Sequence, residues 1–145
     1  DKNVEVIATR SVPEAISAMF IYNDEAELNE LKEAMEYEIE DVKTCQLTRA
    51  IKNSKINGME ITKGDILGIC DGEIKVKGET YQDTITDLFK EVLEGEDLIT
   101  IYYGEEINKS EVEEIKSSLK KKYDLDDIEL YYGGQPLYPY IISLE

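Results

Sequence analysis

Apolar positions recur at helical spacing in some stretches of the chain and alternate in others. A short apolar run, Val4 to Ala8, predicts an opening strand. Ser11 and Glu14 then stand at capping-box spacing around Pro13, which a first helical turn tolerates, so a short helix is expected to follow with Ile16, Met19 and Phe20 inward, ending near Asn23. Asp24 and Glu27 repeat the capping spacing ahead of a second helix striped by Leu28, Leu31, Met35, Ile39 and Val42. From there the period shortens. Cys45, Leu47, Arg49 and Ile51 alternate with Thr44, Gln46, Thr48 and Ala50, as in a strand, and Asn57-Gly58 between Ile56 and Met59 is a two-residue hairpin signal. Lys63-Gly64-Asp65 and Asp71-Gly72 punctuate the runs Ile66 to Cys70 and Ile74 to Val76, giving an antiparallel meander.

Helical spacing returns after Thr80 and Asp83, with Ile85, Leu88, Phe89, Val92 and Leu93 inward and Gly95 as the stop. Leu98 to Tyr103 reads as a strand, Ser110 and Glu113 as the start of a helix striped by Val112, Ile115 and Leu119, and Ile128 to Tyr132 as the return strand. Acids at the start of that helix and Lys116, Lys120, Lys121 and Lys122 at its end complement the helix dipole. A strand-helix-strand unit of this kind, about 35 residues long, favours parallel pairing. The expected fold class is therefore α+β (α/β-like), with a mixed sheet built from an antiparallel meander and a C-terminal βαβ unit. Residues 1–23 read as a strand-helix remnant of a larger upstream α/β unit, and 24–145 as the main domain.

Composition narrows the function classes. The chain has 145 residues, with 16 basic against 33 acidic side chains and a formal net charge of −17, so it should repel nucleic acid and anionic lipid surfaces. Only Arg10 and Arg49 offer a bidentate grip on phosphate or carboxylate. Histidine is absent, which removes the Ser-His-Asp and Cys-His nucleophiles and the commonest zinc ligand. No apolar run approaches the ~20 residues that cross a bilayer. A Lys/Glu-rich chain without a signal segment suggests the cytoplasm, where Cys45 and Cys70 would be free structural thiols.

Most local motifs carry little chemistry. Gly64, Gly68 and Gly72 lack the following Gly-Lys-Ser/Thr of a phosphate loop and read as turn and strand glycines. Asp124, Asp126, Asp127 and Glu129 lack the central glycine of a calcium loop. The acids between Asp24 and Asp41 read as a solvated helix face. Thr9-Arg10-Ser11 joins a strand end to a helix start, where backbone N–H groups and the dipole favour anions, and forms a candidate carboxylate or phosphate site. The strongest signal lies at the end of the chain, in Gly133-Gly134-Gln135-Pro136-Leu137-Tyr138-Pro139-Tyr140 and the apolar strand after it. Gly-Gly admits positive φ and close backbone approach, and each proline fixes its own φ, so a stiff aromatic loop is expected. Gly133, Gly134, Gln135, Pro136, Tyr138, Pro139 and Tyr140 are candidate partner contacts, since tyrosine covers interface area at little entropic cost.

That closing run resembles the C-terminus of the bacterial fatty acid kinase catalytic subunit, of the DhaL-domain (dihydroxyacetone-kinase-like) family. The likeness extends through Val4-Glu5-Val6-Ile7, Thr9 to Pro13, Val42-Lys43-Thr44, Ile56 to Ile61, Lys63-Gly64-Asp65 and Asp71-Gly72. Cys45 departs from the pattern, which has glycine there. The resemblance implies a DegV-like fold for this region and a division of labour. An upstream domain of the same polypeptide binds ATP and magnesium, while a DegV-type protein carries the fatty acid whose carboxylate is phosphorylated. This region would then be a noncatalytic accessory domain, with no catalytic or metal-binding residue of its own, that docks or positions the carrier; a homodimer is a further candidate assembly. The alternatives are a DegV-like module that itself binds a small acid or fatty acid, and an accessory domain of a glycerone (dihydroxyacetone) kinase.

Overall fold

The last strand of the chain lies in the middle of the sheet. The computed structural model describes residues 3–145. In chain order the elements are α1 (Val12–Phe20), α2 (Leu28–Glu40), β1 (Lys43–Arg49), β2 (Ser54–Ile56), β3 (Met59–Ile61), β4 (Ile66–Cys70), β5 (Glu73–Gly78), α3 (Tyr81–Val92), β6 (Ile99–Tyr103), α4 (Lys109–Tyr123), β7 (Glu129–Tyr132) and β8 (Tyr140–Leu144). Six strands form one sheet in the order β5-β4-β1-β8-β6-β7. Every neighbouring pair is antiparallel except β6 and β7, which run parallel and are joined through α4. This is the expected α+β architecture with a mixed sheet, a meander through β1, β4 and β5, and a βαβ unit. The Asn57-Gly58 hairpin forms as read, with both residues at positive φ, but β2 and β3 make a small sheet of their own.

One face of the sheet carries the main core. Cys45, Leu47, Ile66, Ile99, Ile101, Tyr140, Ile142 and Leu144 project towards Ile85, Leu88 and Phe89 of α3 and Val112, Ile115 and Leu119 of α4. These helices form where the apolar spacing put them. Thr80 caps α3 by accepting the Asp83 N–H, while α4 begins two residues earlier than its capping pattern suggested, with Asn108 instead of Ser110 at the N-cap. Gly68 lets α3 and β5 close on β4, since a Cβ there would lie 2.6 Å from Val76 Cγ2. On the opposite face the β2–β3 hairpin covers Leu67, Ile69 and Ile74. Beside it α1 contacts β1 and the chain end through the Ser11–Thr44 and Ser17–Glu145 hydrogen bonds.

Three expectations need correction. Val4 to Ala8 forms no strand and is paired with none among the described residues; the Thr9 N–H instead turns back to Ile7 O (3.1 Å). Helix α1 is turned the other way: Pro13, Glu14, Ser17 and Ala18 are buried, whereas Met19 and Phe20 are exposed and Ile16 is half-buried. The small and polar side of α1 fits closely over a sheet face that carries Thr44 and Ser143. Cys45 and Cys70, expected as free thiols, stand opposite each other in the β1–β4 register and are joined as a disulfide. Antiparallel pairing of the two strands cancels their 25-residue separation in sequence.

Candidate functional site

The segment linking β7 to β8 crosses the end of the sheet where β6 and β7 finish and β8 begins. Its backbone is held at several points. The Gly133 N–H donates to Tyr103 O (2.9 Å), the Gly104 N–H donates to Pro139 O (2.9 Å), and the Glu105 N–H donates to Gln135 O (3.2 Å). The Gln135 amide adds a side-chain brace, its Nε2 donating to Tyr102 O (3.0 Å) and Tyr138 O (3.2 Å). Two glycines permit this approach. A Cβ on Gly104 would lie 2.6 Å from the Gln135 carbonyl oxygen, and one on Gly133 would lie 2.1 Å from Gln135 Oε1.

The chain reverses through Gly134 and Tyr138, both at positive φ. For tyrosine that region is unfavourable, and such a residue is retained only where surrounding contacts over-determine it. Here the Gln135 brace and the proline carbonyl contact fix the backbone on either side. Leu137 next to it is 72 % exposed, and Pro136 and Tyr138 are also exposed, so the tip offers apolar side chains on a fixed frame.

Tyr140 plays a different part from the one expected. It is fully buried, so it cannot touch a partner; it packs 5.3 Å from Tyr81, and its hydroxyl bonds Glu111 (3.1 Å). Burial, followed by the Glu111 charge, pushes its phenol well above the ordinary tyrosine value. It anchors the loop from beneath. Of the remaining candidates, Gly133, Pro136 and Tyr138 are exposed, while Gly134, Gln135 and Pro139 are half-buried.

Residues absent from the sequence reading complete the surface. Leu137 is the most exposed apolar group of the loop, and Tyr131 and Tyr132 are exposed on edge strand β7. Each packs on β6: Tyr131 stacks on Tyr102 with ring centroids 5.9 Å apart, and Tyr132 lies tilted against Tyr103 at 5.5 Å. A leucine between Pro136 and Tyr138 was the available signal, because neither a helical nor an alternating pattern includes it.

Thr9, Arg10 and Ser11 come together at the start of α1, where the cation is already engaged. Glu14 Oε1 accepts from Arg10 Nη2 (2.9 Å), and Glu14 Oε2 accepts the Arg10 backbone N–H. Ser11 accepts the Glu14 N–H and shares a 2.7 Å bond with Thr44. The polar cleft beside them, about 290 Å³, is lined by Glu14 and Asp71 as well as Arg10, Ser11, Thr44 and Gln46. An incoming anion would meet two carboxylates and a paired guanidinium.

Across residues 1–145 the sequence matches the FakA-like C-terminal family, the C-terminal region of fatty acid kinase subunits of that type. The chain belongs to that family. It is 36 % identical over 148 residues to protein YloV of Bacillus subtilis strain 168, covering 100 % of this chain and 26 % of that protein. An uncharacterized protein of Staphylococcus aureus strain USA300 is 32 % identical over 146 residues, covering 100 % of this chain and 27 % of the relative. The FakA-like C-terminal domain thus spans about a quarter of the length of these relatives. A crystal structure of a DegV-family protein from Ruminococcus gnavus, refined with vaccenic acid, superposes with a TM-score of 0.57 at 15 % identity, covering 91 % of this chain and 54 % of the other. The fold is DegV-like. Among the described residues, no helix is long and apolar enough to cross a membrane.

Proposed function

We propose that this domain is the noncatalytic C-terminal part of a fatty acid kinase polypeptide and serves to dock a DegV-type acyl carrier. In this reading, ATP and magnesium are handled by an upstream domain of the same polypeptide, and the carrier presents the fatty acid carboxylate for phosphorylation. The observation that carries the reading is the apolar tip Leu137-Tyr138, exposed on a backbone braced by Gln135 and closed over Gly104. A preformed surface binds without an ordering cost, and its exposed apolar groups are released from water on contact. Family membership supports the kinase context, and the DegV-like fold makes a related carrier a fitting partner.

A pull-down of the DegV-type protein on the full-length kinase polypeptide tests this. Leu137→Asp and Tyr138→Gly alter exposed groups, and glycine suits the positive φ at 138. Both variants should lose the carrier while keeping the fold; full retention by both would remove the loop from the interface.

A second reading, direct acyl binding, has one observation in its favour. A groove of about 560 Å³ runs between α1 and the sheet, lined by Ile16, Phe20, Leu98, Tyr102 and Tyr131. Glu129 and Glu145 also line it and would repel a fatty acid carboxylate. Docking is the better-supported function.

A further inference from the structure

Where β1 meets the turn between β4 and β5, the sheet carries two cysteines on one face and the attachment of α1 on the other. The Asp71 N–H donates to Thr44 O (2.9 Å), and Asp71 Oδ1 accepts the Thr44 N–H (3.0 Å), so these two residues close β1 against the turn. Cys45 and Cys70 are the next pair inwards, buried in the main core and joined to each other. Beside a hydrogen-bonded position of an antiparallel ladder, facing side chains come closest. Thr44 points the opposite way, because successive residues of a strand alternate in face. Its hydroxyl shares a 2.7 Å bond with Ser11, the N-cap of α1. A single covalent bond in the core thus lies one residue away from the contact that seats α1 on the other side.

We propose that Cys45 and Cys70 form a reversible redox latch, whose bond fixes the Thr44–Asp71 closure and the cap of α1, and whose reduction loosens both. Reduction by a small thiol such as glutathione balances in two exchanges. One reductant thiolate attacks Cys70 Sγ, the S–S bond breaks, and Cys45 leaves as a thiolate that takes up a proton. A second reductant thiolate attacks the reductant sulfur of the mixed disulfide, and Cys70 leaves and is protonated. Two reductant thiols become one disulfide, and the protein gains two electrons and two protons. The surroundings favour a latch over a permanent staple. Cys70 ends β4 and is followed by Asp71-Gly72, an exposed turn with both residues at positive φ. The β4–β5 register shifts between Gly68 and Ile69, which sets Ile69, Cys70 and the turn apart from the rest of that pairing. Local opening at such an end admits a reductant while the α3 and α4 core stays folded. The freed thiols suit an apolar interior, but two thiols need more room than one bonded pair of sulfurs, so Thr44 and Asp71 separate. The inference is independent of the carrier-docking loop.

The test equilibrates the full-length polypeptide, without carrier, in glutathione buffers running from fully reduced to fully oxidised. Acid quenching, alkylation and peptide mass spectrometry read the state of each cysteine, and hydrogen–deuterium exchange is recorded at both ends of the series. Cys45 and Cys70 should convert together in one transition, with the domain folded throughout. In the reduced form the amides of residues 11–20 and 71–73 should exchange at least about fivefold faster, with residues 133–139 unchanged. Cys45→Ala and Cys70→Ala should each show the fast pattern in both buffers. A bond that resists reduction until the domain unfolds would overturn the proposal in favour of a fixed staple. Thiols that stay unjoined in the oxidised buffer would overturn it in favour of two buried hydrophobes. Equal exchange in the two forms would overturn the link to α1, and none of these outcomes bears on whether Leu137 binds the carrier.

Discussion

Tyr140 shows how a residue within a recognisable motif can serve the interior. Its ring is part of the main core, and its hydroxyl meets Glu111 at the start of α4. Tyr140→Phe should cost about 1 kcal/mol, the usual value of one hydrogen bond, and Tyr140→Ala about 3–5 kcal/mol for a deleted buried ring, both read from denaturant unfolding. Because its folded pKa is raised, the stabilising contribution is complete below the unfolded tyrosine value near 10 and is lost as pH rises above it. An ultraviolet titration should show the Tyr140 phenol ionising only with unfolding. Asp127 has the opposite sign. It accepts from Lys116 (3.0 Å), Lys120 (3.3 Å) and the Ile128 N–H (2.8 Å), and the Lys116 bond is the largest cause holding its carboxyl down at about 2. Its contribution is present above the ordinary carboxylate value near 3.8 and disappears as pH falls through about 2. An NMR titration should place its midpoint there, and Lys116→Met should raise it; a midpoint near 3.8 would remove the ion pair from the account.

At the scale of elements, most of the fold was legible because pattern and partner lie within the same chain. The stripes of α3 and α4, Cys45 and Leu47 of β1 and the Asn57-Gly58 turn found their complements, whereas Ile51 lies past the end of β1 and is exposed. The readings that failed at α1 and Val4 to Ala8 share one physical cause. Apolar spacing says which side of an element seeks burial; it does not say which side the rest of the fold covers. In α1 the buried side is Pro13, Glu14, Ser17 and Ala18, set by close fit and hydrogen bonds, and its apolar side is left bare. Composition argues for free thiols at Cys45 and Cys70 on grounds of compartment, and spacing alone does not reveal that the two share a register. The terminal loop was legible as stiff from its glycines and prolines, but its geometry depends on Gly104, which is distant in sequence. Gly104→Ala should force the Gln135 carbonyl aside and destabilise by about 1–3 kcal/mol, the range for overpacking, with the largest amide shifts in 133–139. A neutral substitution with unmoved loop resonances would mean that the close approach does not brace the tip.

The whole molecule is a DegV-like sheet whose two bare surfaces differ in kind. The loop tip is an apolar pair on a braced backbone, whereas the α1 side exposes Val12, Met19 and Phe20 on a single helix. The formal charge of −17 opposes indiscriminate contact with nucleic acid and anionic lipid. The central claim is that this tip holds the acyl carrier. Isothermal titration of the DegV-type protein into the full-length kinase polypeptide tests it most directly. Leu137→Asp should weaken binding by about 2 kcal/mol or more, roughly thirtyfold, with the thermal midpoint unchanged. Equal affinity of wild type and variant would contradict the account.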